Sequence, residues 1–347
     1  MDHCVIMPAY LISPNRRSSS IWFPATGQPI KGVSLCAALP CAKHLQAYYL
    51  LLCLLCFGME QVWAGQTVSL ATYNLQHYRI QSHEGYQLKS PRSREVIHQS
   101  LLSLQADVVL LQELGSHQAL EALSSQLTDQ GLYYPFRVFL ETPGSSIHLG
   151  LLSQFKPIRV RHHHTNVFVL YGRGFKPSRG FMEVDLALKQ GKQLKLWGAH
   201  LKSKRQVNYA DQWDLRTSEA MLLKSLMEQA HQKHPDAWMV LLGDLNDDPK
   251  SRTLSCLLGR GRYALKDTRP IEGVPGQAHG WSKSQGRIHA AWTHFFQSED
   301  SHSRLDYILV TPSLFRFLCF EKSFVMRSPM WALGSDHRPV MAVFEIP

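Results

Sequence analysis

Beyond residue 64 the chain carries only two cysteines, Cys256 and Cys319, of the seven in the sequence. A disulfide scaffold is thereby excluded, and these two read either as small buried apolar groups or as one pair. Long hydrophobic runs are scarce as well. The run AYYLLLCLLCFG at 47–58 has 12 residues, short of the roughly 20 that a membrane-spanning helix needs. Acidic residues are few, 27 against 37 lysines and arginines in 347 residues, so the formal net charge is +10. That balance favours an anionic partner or substrate over a cationic one. With 44% hydrophobic and only 18% charged residues, a disordered polymer is excluded too. No Gly/Ser linker and no repeat of fixed period interrupts residues 65–347, which read as one compact domain and as a monomer without an obligate protein partner.

The start of the chain reads as an address. Lys43 and His44 precede the apolar run and Val62-Trp63-Ala64 follows it, the order of a secretory signal peptide over 43–64 with cleavage after Ala64. The expected location is therefore secreted or periplasmic, an uncleaved membrane anchor being the alternative. Residues 1–42, with Pro8, Pro14, Pro24, Pro29 and the serines 18–20, show no helical or strand period and read as a disordered leader. The natural start is expected between residues 30 and 43.

From Thr67 onward, short apolar runs alternate with amphipathic stretches. Strands are predicted at 67–73, 107–112, 180–188, 193–199, 238–243, 305–310 and 340–346, all rich in β-branched and aromatic residues. Helical spacing joins Ile97, Leu101 and Leu104; Leu120, Leu123 and Leu127; and Leu215, Leu222 and Leu226. The class is α/β, sheets covered by helices.

Charge is unevenly spread. Residues 156–205 hold 12 basic and 2 acidic residues. Lys189, Lys192 and Lys195 flank an apparent hairpin and fit a solvated face. Arg173, Lys176, Arg179 and Lys204, with Lys202 and Arg205, bracket strand ends where a polyanion's backbone can be gripped.

The residue at the edge of each apolar run forms a second pattern. Asn74 follows ATY, Glu113 follows VVLLQ, His200 follows LWGA, and Asp244 and Asn246 follow WMVLLG. Asp306 lies in SRLDYILV, and Asp336-His337 precede the last strand. Strand ends of a packed sheet converge on one rim, so these side chains can meet. Carboxylates and an amide suit Mg²⁺ or Mn²⁺, no spacing suits a structural zinc, and two imidazoles add donors for a phosphate or a proton relay. Taken singly, Asn74 or Asp244 suits an ordinary turn after a strand. Asp247 and Asp248, before Pro249, read as a helix cap. The run His162–His164 reads as a solvent-facing strand, since adjacent side chains point to opposite faces.

In their order, Asn74, LQE at 111–113, AHLKS at 199–203, GDLND at 243–247, RLDYILV at 304–310 and SDHRPV at 335–340 resemble the endonuclease/exonuclease/phosphatase superfamily over residues 67–346. The resemblance implies a four-layer α/β sandwich, two packed mixed β-sheets flanked by helices, with a divalent metal at one rim. It implies metal binding by Glu113 with Asn74 nearby and Asp336 completing the metal side. Asp244, with Asn246 beside it, would orient or deprotonate the attacking water; His337, oriented by Asp306, and His200 would touch the phosphate. Gln76 stands where the repair nucleases of the superfamily carry an acidic residue, a departure that sets the chain apart from apurinic-site endonucleases.

These features predict a secreted phosphoester hydrolase, first of all a nuclease acting on nucleic acid. A phosphatase or sphingomyelinase-like enzyme acting on a lipid headgroup or small phosphate ester is the second reading. A non-catalytic module is third, since none of the expected polar positions is lost. Trp281, Trp292, Phe295 and Phe296 lie in a long segment suited to base stacking, to a membrane surface or to plain packing.

Overall fold

Runs that are apolar on both faces of a strand need cover on both sides, and here two sheets and two helical layers supply it. The computed structural model describes residues 65–82, 85, 87–276 and 292–347. The leader, the signal segment and Trp281 lie outside these residues. Among the described residues no helix is long and apolar enough to cross a membrane.

In chain order the strands are β1 (Gln66–Tyr78), β2 (Val108–Leu114), β3 (Phe136–Leu140), β4 (His148–Ser153), β5 (Pro157–His163), β6 (Phe168–Leu170), β7 (Arg173–Phe175), β8 (Phe181–Ala187) and β9 (Gln193–His200). They continue with β10 (Trp238–Asp244), β11 (Lys266–Asp267), β12 (Ile271–Gly273), β13 (His294–Phe296), β14 (Ser301–Ser303), β15 (Asp306–Val310), β16 (Leu318–Met326) and β17 (Val340–Ile346). The helices are α1 (Pro91–Leu104), α2 (His117–Asp129), α3 (Gln212–Lys233), α4 (Arg252–Leu258), α5 (Pro312–Phe315) and α6 (Trp331–Gly334). One mixed sheet runs β12-β16-β17-β1-β2-β4-β3 and the other β11-β15-β10-β9-β8-β5. The result is the four-layer α/β sandwich that the motif order implied.

Strand parity divides the core. Val68, Leu70, Val108 and Leu110 meet Leu194, Leu196, Val240, Leu242, Ile308 and Val310 between the sheets. The alternate residues face outward: Ala71, Tyr73, Val109 and Leu111 against Ile97, Leu101, Leu120 and Leu123 of α1 and α2, and Trp197, Ala199, Leu241 and Leu309 against Leu223 and Met227 of α3. Helix α3 therefore buries Leu215, Ala220, Leu223 and Met227, one position along from the expected Leu222 and Leu226, which are only partly buried. Each long helix starts on a side-chain cap. Ser90 accepts from Ser93 N, Ser116 from Ala119 N, and Asp211 from Trp213 N and Asp214 N, satisfying amides that have no partner within the helix.

Several local expectations change. The cap of α4 is Ser251, accepting from Leu254 N, not the Asp247-Asp248 pair; Asp247 is buried against the Arg216 guanidinium at 3.1 Å. Cys256 and Cys319 are free thiols. Lys189 and Lys192 lie in the β8–β9 connection, whereas Lys195 lies within β9, is buried and pairs with Glu183 and Asp185. His163 is partly buried as well, stacked on Trp197 and 2.9 Å from Glu183, while His162 is exposed.

Glu183 thus sits among His163, Lys195 and Arg161. Burial alone would raise its carboxyl, but these three partners outweigh it and hold the group near 2. A carboxylate depressed on folding contributes stability above its unfolded value, near 4.5, and loses it as pH falls towards 2. Glu183→Gln should lower Tm at pH 7 and flatten the fall of Tm between pH 5 and 3 measured by thermal unfolding; an unchanged acid slope would assign that sensitivity to other carboxylates.

Candidate active site

The site is assembled by register. Asp244, the last residue of β10, lies opposite His200 of β9 on one side and Asp306 of β15 on the other, so three polar side chains form one row across three strands. All three continue the inward parity of Leu196, Leu242 and Ile308 and point towards the other sheet. Asn74 continues the inward parity of β1 in the same way and meets them from the opposite side: its Nδ2 donates to Asp244 Oδ2 at 3.0 Å and to Glu113 Oε1 at 3.4 Å. The tight row depends on Gly243. It adopts φ of +142°, and a Cβ there would stand 1.9 Å from the Ala199 carbonyl oxygen of β9, so no other residue fits at this position, one before Asp244.

Glu113 breaks the parity rule. On β2 it would face outward beside Leu111, but its φ is +65° and the pairing of β2 with β4 shifts register between Leu111 and Leu114. A left-handed residue at a bulge turns the strand and re-aims its side chain. His77 N then donates to Oε2 at 2.9 Å, which leaves Oε1 facing Asn74 and, at 4.0 Å, His200 Nε2. Asn246 also has positive φ, 54°; its backbone N–H donates to Asp244 Oδ1 at 2.9 Å and its side chain to the Leu201 carbonyl at 3.0 Å. Backbone strain of this kind at non-glycine residues concentrates at functional sites.

The histidines differ in charge. His337 Nδ1 meets Asp306 Oδ2 at 2.8 Å, and its Nε2 faces Asp244 Oδ2 at 3.8 Å and Asp336 Oδ1 at 4.0 Å. Burial disfavours its cation, but Asp306, Asp244 and Asp336 outweigh that and lift the imidazole to about 10, so it is protonated at neutral pH. His200, 3.4 Å from Asp244 Oδ2, is held well below the ordinary histidine value by burial and by Arg179, His337 and His77. It is neutral. Burial, reinforced by Asp306, raises Asp244 to about 6 against the pull of His337, the range of a general base that works near neutrality. Asp336 moves the other way; hydrogen bonding from His294 and the charges of His337, His294 and Lys89 overcome its burial and lower it.

Residues 71–337 match the model of the Endonuclease/Exonuclease/phosphatase family. The chain belongs to this family. Among solved structures, the human Nocturnin catalytic domain with bound sulfate superposes with a TM-score of 0.57 at 16% identity, over 81% of this chain and 95% of that one. Sphingomyelinase C from Streptomyces griseocarneus gives 0.54 at 18% identity over 80% and 99%, and a mannosyl-6-phosphatase of Bacteroides thetaiotaomicron 0.54 at 17% over 79% and 98%. Such distant likeness establishes the fold. No curated protein matches the chain.

Within the endonuclease/exonuclease/phosphatase fold the basic residues separate. Arg173 and Lys176 are exposed on and just after the β6–β7 hairpin, which rests on α3 through Tyr171 and Asp214. Arg179 lies at the rim, its guanidinium donating to the Leu201 carbonyl at 2.7 Å. Lys204 is paired with Asp248 at 2.6 Å. A buried carboxylate on α3, Glu219, ties two of these loops together, accepting from Ser178 N and Oγ with one oxygen and from Lys202 N with the other. Trp292 and Phe295 pack with Trp331 and His302, while Phe296 is exposed.

Other residues at the site carried no signal in the sequence. Ser335 Oγ donates to the Asn74 carbonyl at 2.7 Å and accepts from His337 N at 3.1 Å, locking the turn before β17 onto β1. Thr293 Oγ1 accepts from Leu305 N and Asp306 N. Lys89 donates to the Gln76 carbonyl at 2.7 Å; burial lowers its ammonium to about 8 against the pull of Asp336 and Glu113. His294 lies against His337, ring centroids 4.5 Å apart. Each depends on a contact distant in sequence, and only Ser335, inside SDH, adjoins a motif.

Proposed function

We propose that the chain is a divalent-metal-dependent phosphoester hydrolase that cleaves nucleic-acid phosphodiesters, exported by way of its 43–64 segment. The observation that carries the chemistry is the pair formed by a protonated His337 and a carboxylate raised to about 6, Asp244, 3.8 Å apart in a buried row. The donor set fits a hard cation. Glu113 Oε1 and the partly exposed Asp336 offer carboxylate oxygens at the rim, and Asp306 Oδ1 is buried without a partner. Glu113 and Asp336 would hold Mg²⁺ or Mn²⁺, with Asn74 fixing Glu113 rather than ligating through its own oxygen, which accepts from Gln76 N. When bound, such an ion neutralises charge on a phosphoryl oxygen.

The chain's own residues supply the rest. Asp244, its oxygens oriented by Asn74 Nδ2 and Asn246 N, takes the proton from a water aligned for in-line attack. His337 donates from Nε2 to a non-bridging phosphoryl oxygen, and Asp306 fixes its ring through Nδ1 and stabilises its charge. Neutral His200 adds a hydrogen bond without adding charge. The exposed Arg173 and Lys176 and the rim-held Arg179 support a polyanionic substrate.

A second reading, a small phosphate ester or lipid headgroup, draws on two observations. The basic window is partly neutralised by nearby carboxylates, Arg161 and Lys195 by Glu183 and Lys204 by Asp248. Two fold neighbours are named a sphingomyelinase and a sugar phosphatase. Purified protein assayed with plasmid DNA, RNA, sphingomyelin, phosphoinositides and p-nitrophenyl phosphoesters, each with Mg²⁺, Mn²⁺ or EDTA, decides between them. Cleavage of DNA or RNA abolished by EDTA is expected. Cleavage confined to a lipid or small ester turns to the second reading, and full activity in EDTA overturns the metal mechanism.

A further inference from the structure

His294 belongs to none of the roles above, yet it stands over the site. It pairs in an isolated bridge with His337, its Nε2 lies 3.8 Å from Asp336 Oδ2, and Asp336 Oδ1 lies 4.0 Å from His337 Nε2. One ligand atom from each of the three residues falls within 4.8 Å of the others. Donors on a tetrahedral metal with bonds of about 2.1 Å stand roughly 3.4 Å apart, so a small inward movement of side chains completes the set. The mixture matters. Two imidazoles and one carboxylate suit Zn²⁺ and its neighbours, whereas Mg²⁺ prefers oxygen.

We propose that His294, Asp336 and His337 form a second metal site, selective for Zn²⁺-class ions and sharing Asp336 with the Mg²⁺ or Mn²⁺ site above, whose occupation withdraws His337 from phosphate contact. The silencing part rests on the hydrolase reading above; the binding part does not. Coordination at His337 Nε2 releases the proton held there, while Asp306 keeps the one on Nδ1 and orients the ring, the usual carboxylate support of a metal-bound histidine. Asp244 Oδ2 and Asp336 Oδ1 lie 3.8 and 4.0 Å from Nε2 and add negative charge beside the position a dication would take. Asp336 is partly exposed, which gives the ion an entry path and leaves a position for water.

Untagged full chain titrated with Zn²⁺ by calorimetry, and with Co²⁺ by visible absorption, tests this. Wild type should bind one ion with the intense visible bands of tetrahedral Co²⁺, and Zn²⁺ should inhibit hydrolysis in the presence of Mg²⁺. His294→Asn should weaken Zn²⁺ binding at least tenfold and relieve inhibition relative to its own Zn²⁺-free rate, with an unchanged melting curve as the check on folding. His162→Ala, at an exposed histidine on β5, should leave Zn²⁺ affinity as in wild type. Equal affinity in wild type and His294→Asn, or no binding by either, overturns the proposal. Binding through His294 in a chain that cleaves no phosphoester would keep the site and remove the hydrolase reading instead.

Discussion

Asp244→Asn should lower kcat by about a thousandfold or more while leaving KM near that of the wild type. The amide has the carboxylate's shape, so Asn74 and Asn246 lose little, but it cannot take a proton. Because burial raises Asp244 to about 6, the wild-type rate should climb as pH rises through that value and level off above it, the base being active only when ionised. The variant's residual rate should lack this acid limb. A pH–kcat profile of both proteins checks the assignment: an unchanged limb in Asp244→Asn would place the titrating base elsewhere, and an unchanged kcat would remove Asp244 from the reaction.

Removing the carboxylate at the opposite side of the row should cost as much. Glu113→Gln keeps the acceptor for His77 N but takes away the charge that would hold the cation, so kcat should fall on the order of a thousandfold and the affinity for Mn²⁺, measured by titration calorimetry, should fall with it. The melting temperature should change little, because Glu113 lies at a strand end outside the three apolar clusters. The pairing of kinetics with metal affinity is what discriminates. A large loss of kcat with intact Mn²⁺ binding would move Glu113 from metal binding to another role, and full activity would dismiss it.

Much of the fold was readable because its central strands are covered on both faces. β2, β10, β15 and β17 are largely apolar runs for that reason, and β1 and β9 carry apolar residues on both faces. The strand β5, PIRVRHH, is exposed along most of its length, and β6, β7, β13 and β14 have three residues each; none has an apolar run long enough to betray it. The site follows the same logic. His200 and Asp244 end their strands and Asp306 begins its own, each extending the strand's parity, so reading the terminal residues of each run finds them. Glu113 is marked by its place after the apolar run VVLLQ, but its direction is set by a left-handed backbone that no pattern of residue types discloses. Asp247 looked like a cap because its partner, Arg216, lies on a helix 31 residues upstream. His294 sits in a stretch without period, and its meeting with His337 is purely tertiary.

Glu219 also decides how the rim moves. Its two oxygens hold the main chain of Ser178 and of Lys202, the loops that carry Arg179 and follow His200, and the carboxylate itself is anchored in the middle of α3. Surface loops usually open by themselves in rapid local fluctuations, whereas backbone amides tethered to one buried group share its cooperative unit. The two loops beside the reactive row are thereby coupled to one another and to α3, a 22-residue helix, through a single buried carboxylate.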